Sequence, residues 1–156
     1  MSWAKLSNED AAEVLRKTLL GSSINSITCF ITGWELRLTS HPPSLSEEYY
    51  LEASEIIVPN ENEWWASLKE TPVSLAVDHD DDLVLASIIL FRALNMHSIK
   101  AIEVLDEGDI YLTFQNDTTA CIKGRCDPVD WTWDLKKFDK SHLLKCEFGE
   151  IFAPSN

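Results

Sequence analysis

Residues 24–39 read Ile-Asn-Ser-Ile-Thr-Cys-Phe-Ile-Thr-Gly-Trp-Glu-Leu-Arg-Leu-Thr, and this stretch decides the fold class. Residues 24–31 are rich in β-branched and aromatic side chains, and residues 34–39 alternate between apolar and polar at the period of a half-buried strand. Thr32-Gly33 between them is typical of a turn. The pattern predicts an antiparallel hairpin with one buried face.

The segments on both sides of this hairpin carry equally local signals. Ser7 and the acidic Asp10 resemble a capping box for a helix that Gly21 ends, and Glu13 and Lys17 are spaced as an ion pair on it. A short helix is predicted at residues 61–68. Further strands are predicted at residues 49–58, 99–105, 110–115, 118–123, 129–135 and 143–152.

Residues 83–96 form the most apolar helical pattern of the chain, with apolar side chains around most of the circumference. A helix of this kind is usually buried at the centre of a domain. Three acids at its predicted N-terminus complement the helix dipole. We therefore predict an α+β fold in which a mostly antiparallel sheet packs on this central helix.

The chain length of 156 residues fits a single domain spanning residues 1–156, and no Gly/Ser-rich linker divides it. A weak repeat is visible, because Ile24-x-x-Ile27 followed by Gly33 recurs 75 residues later as Ile99-x-x-Ile102 followed by Gly108. This pattern predicts two related α-β-β halves, at residues 7–70 and 80–152, that share one core.

The charge is strongly acidic, with 26 acidic and 13 basic residues and a formal net charge of −13. A field of this sign repels a phosphate backbone, so we predict no nucleic-acid partner. It favours rapid capture of a basic protein, although it also serves solubility alone. Without a signal peptide or an apolar run long enough to span a membrane, the chain is expected to be cytoplasmic and not membrane-bound.

No motif of a known catalytic site is present. The four histidines lie far apart, and the sequence contains no nucleophile elbow, zinc-protease helix or phosphate-binding loop. Cys121 and Cys126 have no second pair with metal-ligand spacing, and the scattered cysteines suggest free thiols. We therefore predict no metal, no cofactor and no enzymatic activity. A small enzyme with a non-contiguous site is the third alternative.

Three segments combine carboxylates with helix starts or with tryptophans. The acids of residues 80–82 precede the central helix, where capping is the simpler explanation. Residues 61–65 and 127–134 place acids beside tryptophans, which suits contact with Arg or Lys of a partner, although such tryptophans also point inward in ordinary strands. The predicted partner-binding residues are Glu61, Glu63, Trp64, Trp65, Asp80, Asp81, Asp82, Asp127, Asp130 and Asp134.

A pattern of apolar strand, turn, alternating strand and then tryptophan-bearing strand is carried by three segments of the chain, residues 20–38, 109–117 and 131–135. This pattern resembles the immunity proteins of bacterial contact-dependent growth inhibition and other polymorphic toxin systems. The resemblance implies an antitoxin that binds and neutralises a cognate toxin domain, often a basic nuclease, and it transfers no individual functional residue. The alternative is a non-enzymatic adaptor or regulatory module that binds a basic protein with no toxin involved.

Overall fold

The structure is a computed structural model, and it describes residues 2–30, 33–40, 47–57, 94, 97–127 and 131–155. The predicted short helix at residues 61–68 lies outside the described residues. Of the predicted central helix, only Leu94 is described, and it is helical and fully buried.

The described residues form one α-helix and eleven strands, joined in part by a short 3-10 turn at Asp106–Gly108. The helix α1 is Asn8–Leu19. The strands are β1 Ser2–Lys5, β2 Ser23–Phe30, β3 Gly33–Thr39, β4 Glu48–Ala53, β5 Ile56–Ile57, β6 Ile99–Val104, β7 Ile110–Phe114, β8 Thr119–Ile122, β9 Trp131–Lys137, β10 His142–Glu147 and β11 Glu150–Ser155.

The strands make two sheets in which every described pairing is antiparallel. The larger sheet has seven strands in the order β1-β11-β10-β9-β4-β3-β2, and the smaller has four in the order β5-β8-β7-β6. This arrangement confirms the predicted α+β class with mostly antiparallel sheets. The predicted hairpin at residues 24–39 is formed by β2 and β3.

Local signals at helix α1 are confirmed in detail. Ser7 caps the helix by accepting a hydrogen bond from the Asp10 backbone N–H at 3.1 Å. Gly21, with φ of 81°, follows its last turn. The Arg16 side chain donates to the Ile102 carbonyl at 3.1 Å, so the helix covers part of the edge strand β6.

Two stretches that were each predicted as one strand are divided into two strands in the structure. The stretch predicted at residues 49–58 is divided between β4 in the larger sheet and β5 in the smaller one. At the change of sheet, the Ser54 N–H donates to the Thr132 carbonyl at 2.8 Å. The stretch at residues 143–152 is a hairpin whose turn, Phe148-Gly149, has φ of 52° and 78°. Strand β1 was not predicted.

The core contains side chains from both sheets and from α1. Across the larger sheet, Leu36, Leu51, Leu135 and Leu144 are directly opposed in neighbouring strands and fully buried. Trp133 is also fully buried, and its indole N–H donates to the Gly108 carbonyl at 2.9 Å. This bond connects the larger sheet to the turn that precedes β7. The hairpins compared in the predicted repeat, β2–β3 and β6–β7, lie in different sheets.

Candidate binding site at one end of the seven-stranded sheet

A row of carboxylates crosses three neighbouring strands of the larger sheet. Glu35 on β3 lies opposite Glu52 on β4, and Glu52 lies opposite Asp134 on β9. These residues alternate with the buried leucines, so their side chains belong to the opposite face, which we call the charged face. Like charges directly opposed across strands are destabilising unless cations lie between them.

Two lysines and one histidine provide that compensation. Lys136 Nζ lies 2.8 Å from a Glu52 oxygen and 3.5 Å from an Asp134 oxygen, and Lys140 Nζ lies 3.6 Å from Glu35. His142 Nδ1 lies 2.8 Å from Asp134 Oδ2. Burial lowers the pKa of Lys136, but its hydrogen bond to Glu52 and the nearby charges outweigh burial and raise that pKa above its ordinary value. Lys136 and Lys140 thus lie among the three carboxylates, and Lys145 lies opposite Asp134 on the next strand.

A cleft of about 210 Å³ opens at the Glu35 and Glu52 end of this row. It lies where β2 ends and where β3 and β9 begin, so residues distant in sequence meet there. Its lining contains three aromatic residues, two carboxylates and one glycine, namely Phe30, Trp34, Trp131, Glu35, Glu52 and Gly33.

Gly33 allows the two walls of the cleft to approach. A Cβ on Gly33 would overlap with the Ala53 carbonyl oxygen, which is backbone and cannot rotate away. Strand β3 therefore comes unusually close to β4 at this point, and a glycine is needed for a steric reason.

The two carboxylates of the cleft keep unused hydrogen-bonding capacity. Glu52 Oε2 accepts a hydrogen bond from Lys136, and Glu35 Oε2 forms a longer ion pair with Lys140 at 3.6 Å. Within the described part of the chain, neither Oε1 atom accepts a hydrogen bond. A carboxylate accepts up to about four hydrogen bonds, so both can accept further donors.

Two other aromatic groups on this sheet have a cation of their own. The ammonium of Lys145 lies 4.4 Å from the Trp3 ring centroid, and the His142 ring meets Trp3 edge-on at 5.6 Å. Lys140 lies 3.5 Å over the Tyr50 ring, which also stacks with Phe138. Over Trp34, by contrast, no lysine or arginine of the described residues is placed.

A larger cavity of about 530 Å³ lies beside the β9–β10 turn. Its charged residues are largely paired within the chain, since Arg37 bonds both oxygens of Glu48 at 2.7 and 2.6 Å. The hydrogen bond and charge of Glu48 raise the pKa of Arg37. Neither this cavity nor the cleft is lined by histidine or cysteine among the described residues. The lining is Arg37, Glu47, Glu48, Tyr49, Lys137, Phe138 and Asp139.

The predicted site residues are placed in different surroundings. Asp134 is only 5% exposed and is engaged by His142 and Lys136. Asp127 has a side chain that is 86% exposed, with Arg125 at 3.7 Å. The remaining predicted residues lie outside the described part of the chain: Glu61, Glu63, Trp64, Trp65, Asp80, Asp81, Asp82 and Asp130.

The two tryptophans of β9 differ in environment. Trp133 belongs to the core, whereas Trp131 is partly exposed and lines the cleft. The carboxylates beside Trp131 in the cleft are Glu35 and Glu52, which come from other strands. Sequence reasoning missed both, although the adjacent Trp34-Glu35 pair on an alternating strand shows the same combination of residue types.

Among the described residues, no group of three or more metal-ligating side chains comes together. Within the same part of the chain, no helix has the length and apolarity needed to cross a membrane. Comparisons with known protein families, with curated proteins and with solved structures found no match to this chain. The function of the cleft therefore has to be argued from its geometry and charge.

Proposed function

We propose that this chain is an immunity protein that binds and neutralises a cognate toxin domain, a basic nuclease, through an acidic and aromatic surface. The observation that carries the proposal is the cleft, which combines Phe30 and Trp131 with the carboxylates of Glu35 and Glu52. Tight interfaces usually depend on a few aromatic anchors within a polar rim, and the cleft supplies both kinds of group.

The overall charge supports the same role. A net charge of −13 accelerates the encounter with a basic protein, and speed matters for an inhibitor that must act before the toxin does. The Oε1 atoms of Glu35 and Glu52 accept no hydrogen bond from the described residues, so a partner's cation would find acceptors there. Bound over the nuclease active site, the acidic chain would exclude the phosphate backbone by occupancy and by charge.

The proposal also includes two finer features of the α+β fold, a central helix and a repeat of two related halves. Residues 83–96 would form the central helix on which the sheet packs, which agrees with the burial of Leu94. The halves at residues 7–70 and 80–152 would be related α-β-β units. A protein of this design needs no catalytic group, no cofactor and no metal, and it would work in the cytoplasm.

The proposal is tested with a basic toxin domain identified in a reading frame that adjoins the gene of this chain. We expect a complex with nanomolar Kd by calorimetry and loss of toxin activity at equimolar ratio. Glu35→Arg should weaken the complex by about tenfold or more, since it places a like charge against a basic partner. Glu103→Arg makes the same charge change on an exposed position of the smaller sheet and should change Kd by less than about threefold.

The outcomes separate the candidate functions. No complex at micromolar concentration would overturn the immunity role. A stable complex with a basic protein that has no toxic activity would favour the adaptor alternative, because the same cleft would then serve a different partner.

A further inference from the structure

We propose that the cleft is a pocket for one arginine side chain of the partner, with the guanidinium group held between Glu35 and Glu52 and stacked on the aromatic walls. This inference rests on the proposed function, since it names the chemical group that a basic partner presents. It concerns the cleft alone, and it can be tested without the partner.

The size of the cleft favours a single side chain. Pockets for drug-sized ligands usually measure about 300 to 1,000 Å³. At about 210 Å³ the cleft is smaller than these pockets. It is open at the surface where three strand ends meet, so a side chain that projects from a partner can enter it.

The carboxylates favour a donor with several N–H groups. Glu35 and Glu52 are directly opposed, which places their Cβ atoms about 4.5 to 5.5 Å apart. Their Oε2 atoms already meet lysines of the chain, and their Oε1 atoms accept no hydrogen bond from the described residues. A guanidinium carries five donors in a planar fork and can bond both free oxygens at once.

The aromatic walls select the same group over an ammonium. A guanidinium is planar and weakly hydrated and stacks on aromatic faces, whereas a lysine ammonium is compact and strongly hydrated. Phe30 is 49% exposed and Trp131 is partly exposed, so aromatic surface is accessible beside the carboxylates. Trp34 packs against the core, on the face of β3 opposite Glu35. Cation–π contacts are strongest with tryptophan.

The experiment titrates the full chain with three small amides and follows the indole N–H signals by NMR. The probes are the N-acetyl methylamides of arginine, lysine and citrulline, the last being a neutral shape analogue of arginine. We expect the arginine amide to shift the Trp131 signal saturably, with an affinity at least about fivefold above that of the lysine amide. The citrulline amide should not saturate, and the signals of Trp3 and the buried Trp133 should stay in place.

Isosteric variants test the role of the carboxylates. Glu35→Gln and Glu52→Gln should each lower the affinity for the arginine amide by about tenfold, because a charged hydrogen bond is lost. Glu103→Gln, on the smaller sheet, should leave its affinity unchanged. An unshifted Trp133 signal shows that each variant retains its fold.

Equal binding of the citrulline amide would overturn the inference, as would unchanged affinity in both cleft variants or shifts confined to Trp3. These failures differ from failure of the proposed function. A toxin that binds normally to both cleft variants would contradict the arginine pocket alone. A toxin that does not bind at all would contradict the immunity role, while a selective arginine titration would still stand.

Discussion

Two aromatic clusters of the seven-stranded sheet use the same residue types in opposite ways. Around Trp3, the cation is supplied by the chain, since Lys145 lies 4.4 Å from the ring centroid. In the cleft, Phe30 and Trp131 border Glu35 and Glu52, whose Oε1 atoms accept no hydrogen bond from the described residues. An aromatic group that already holds its own cation contributes to stability. An aromatic wall that borders carboxylates with unused oxygens can receive a cation from outside.

The difference originates in the order of charges across the sheet. The row Glu35, Glu52 and Asp134 continues to Lys145 on β10, so the sign changes between β9 and β10. Trp3, on β1, lies on the β10 side of this change of sign, and the cleft lies on the β9 side. We therefore expect changes in the cleft to affect cation binding there and the backbone approach, whereas changes near Trp3 should affect stability and leave the affinity of the cleft unchanged.

The largest expected effect tests the close approach that shapes the cleft. Gly33→Ala should lower the free energy of unfolding by about 2 to 3 kcal/mol, because its Cβ would overlap with the Ala53 carbonyl oxygen. Gly21→Ala is the control, because both glycines have a φ that is unfavourable for alanine, 153° at Gly33 and 81° at Gly21, but the Gly21 Cβ would meet open space, so this variant should lose only about 1 kcal/mol. Urea unfolding of both variants gives the difference. Equal losses would contradict the close approach of β3 to β4.

The next effect tests the compensation of the carboxylate row. Lys136→Met should cost about 1 to 2 kcal/mol, because Glu52 and Asp134 would then be opposed without the cation between them. Lys137→Met changes the exposed neighbour and should stay within about 0.5 kcal/mol. The measurement is again urea unfolding at neutral pH. If both variants lose equally little free energy of unfolding, Lys136 does not stabilise the opposed carboxylates.

Alkaline pH gives a related, signed test. The pKa of Lys136 is raised in the folded state, so its contribution is fully present below its ordinary value of about 10.5 and is lost as pH rises through the folded-state value. The stability difference between the native chain and Lys136→Met should therefore shrink above that pH. Unfolding curves of both proteins at pH 8 and pH 11 measure this change. A difference that grows with pH would contradict the sign of the shift.

The smallest expected effect concerns the stability contributed by the Trp3 cluster. Lys145→Met removes the cation over Trp3 and should cost about 0.5 to 1 kcal/mol. It should also make the Trp3 indole signal respond weakly to the arginine amide, because Asp134 and Glu147 lose a cationic neighbour. Affinity at the cleft should be unchanged. A cleft affinity that falls with this variant would show that the two clusters are not independent.

Local patterns predicted much of the described fold. The capped helix α1, the β2–β3 hairpin and most later strands follow from periodicity, turn residues and capping within a few positions. Strand β1 was missed because four residues at the start of the chain carry little pattern, and it is held by pairing with β11 near the other end. The division of residues 49–58 between two sheets was missed for a similar reason, since the change at Ser54 depends on a bond to Thr132.

By itself, the sequence determined the α+β class, the strongly acidic charge and the expectation that tryptophan beside carboxylate marks a contact site. Only the tertiary structure decided which carboxylates those are. Trp131 meets Glu35 and Glu52 because β9 pairs with β4 and β4 with β3, in a register that opposes acid to acid. Asp134, although three residues from Trp131 in the chain, is buried between His142 and Lys136 instead. Strand order and register depend on the packing of distant segments, and no local window of sequence contains that information.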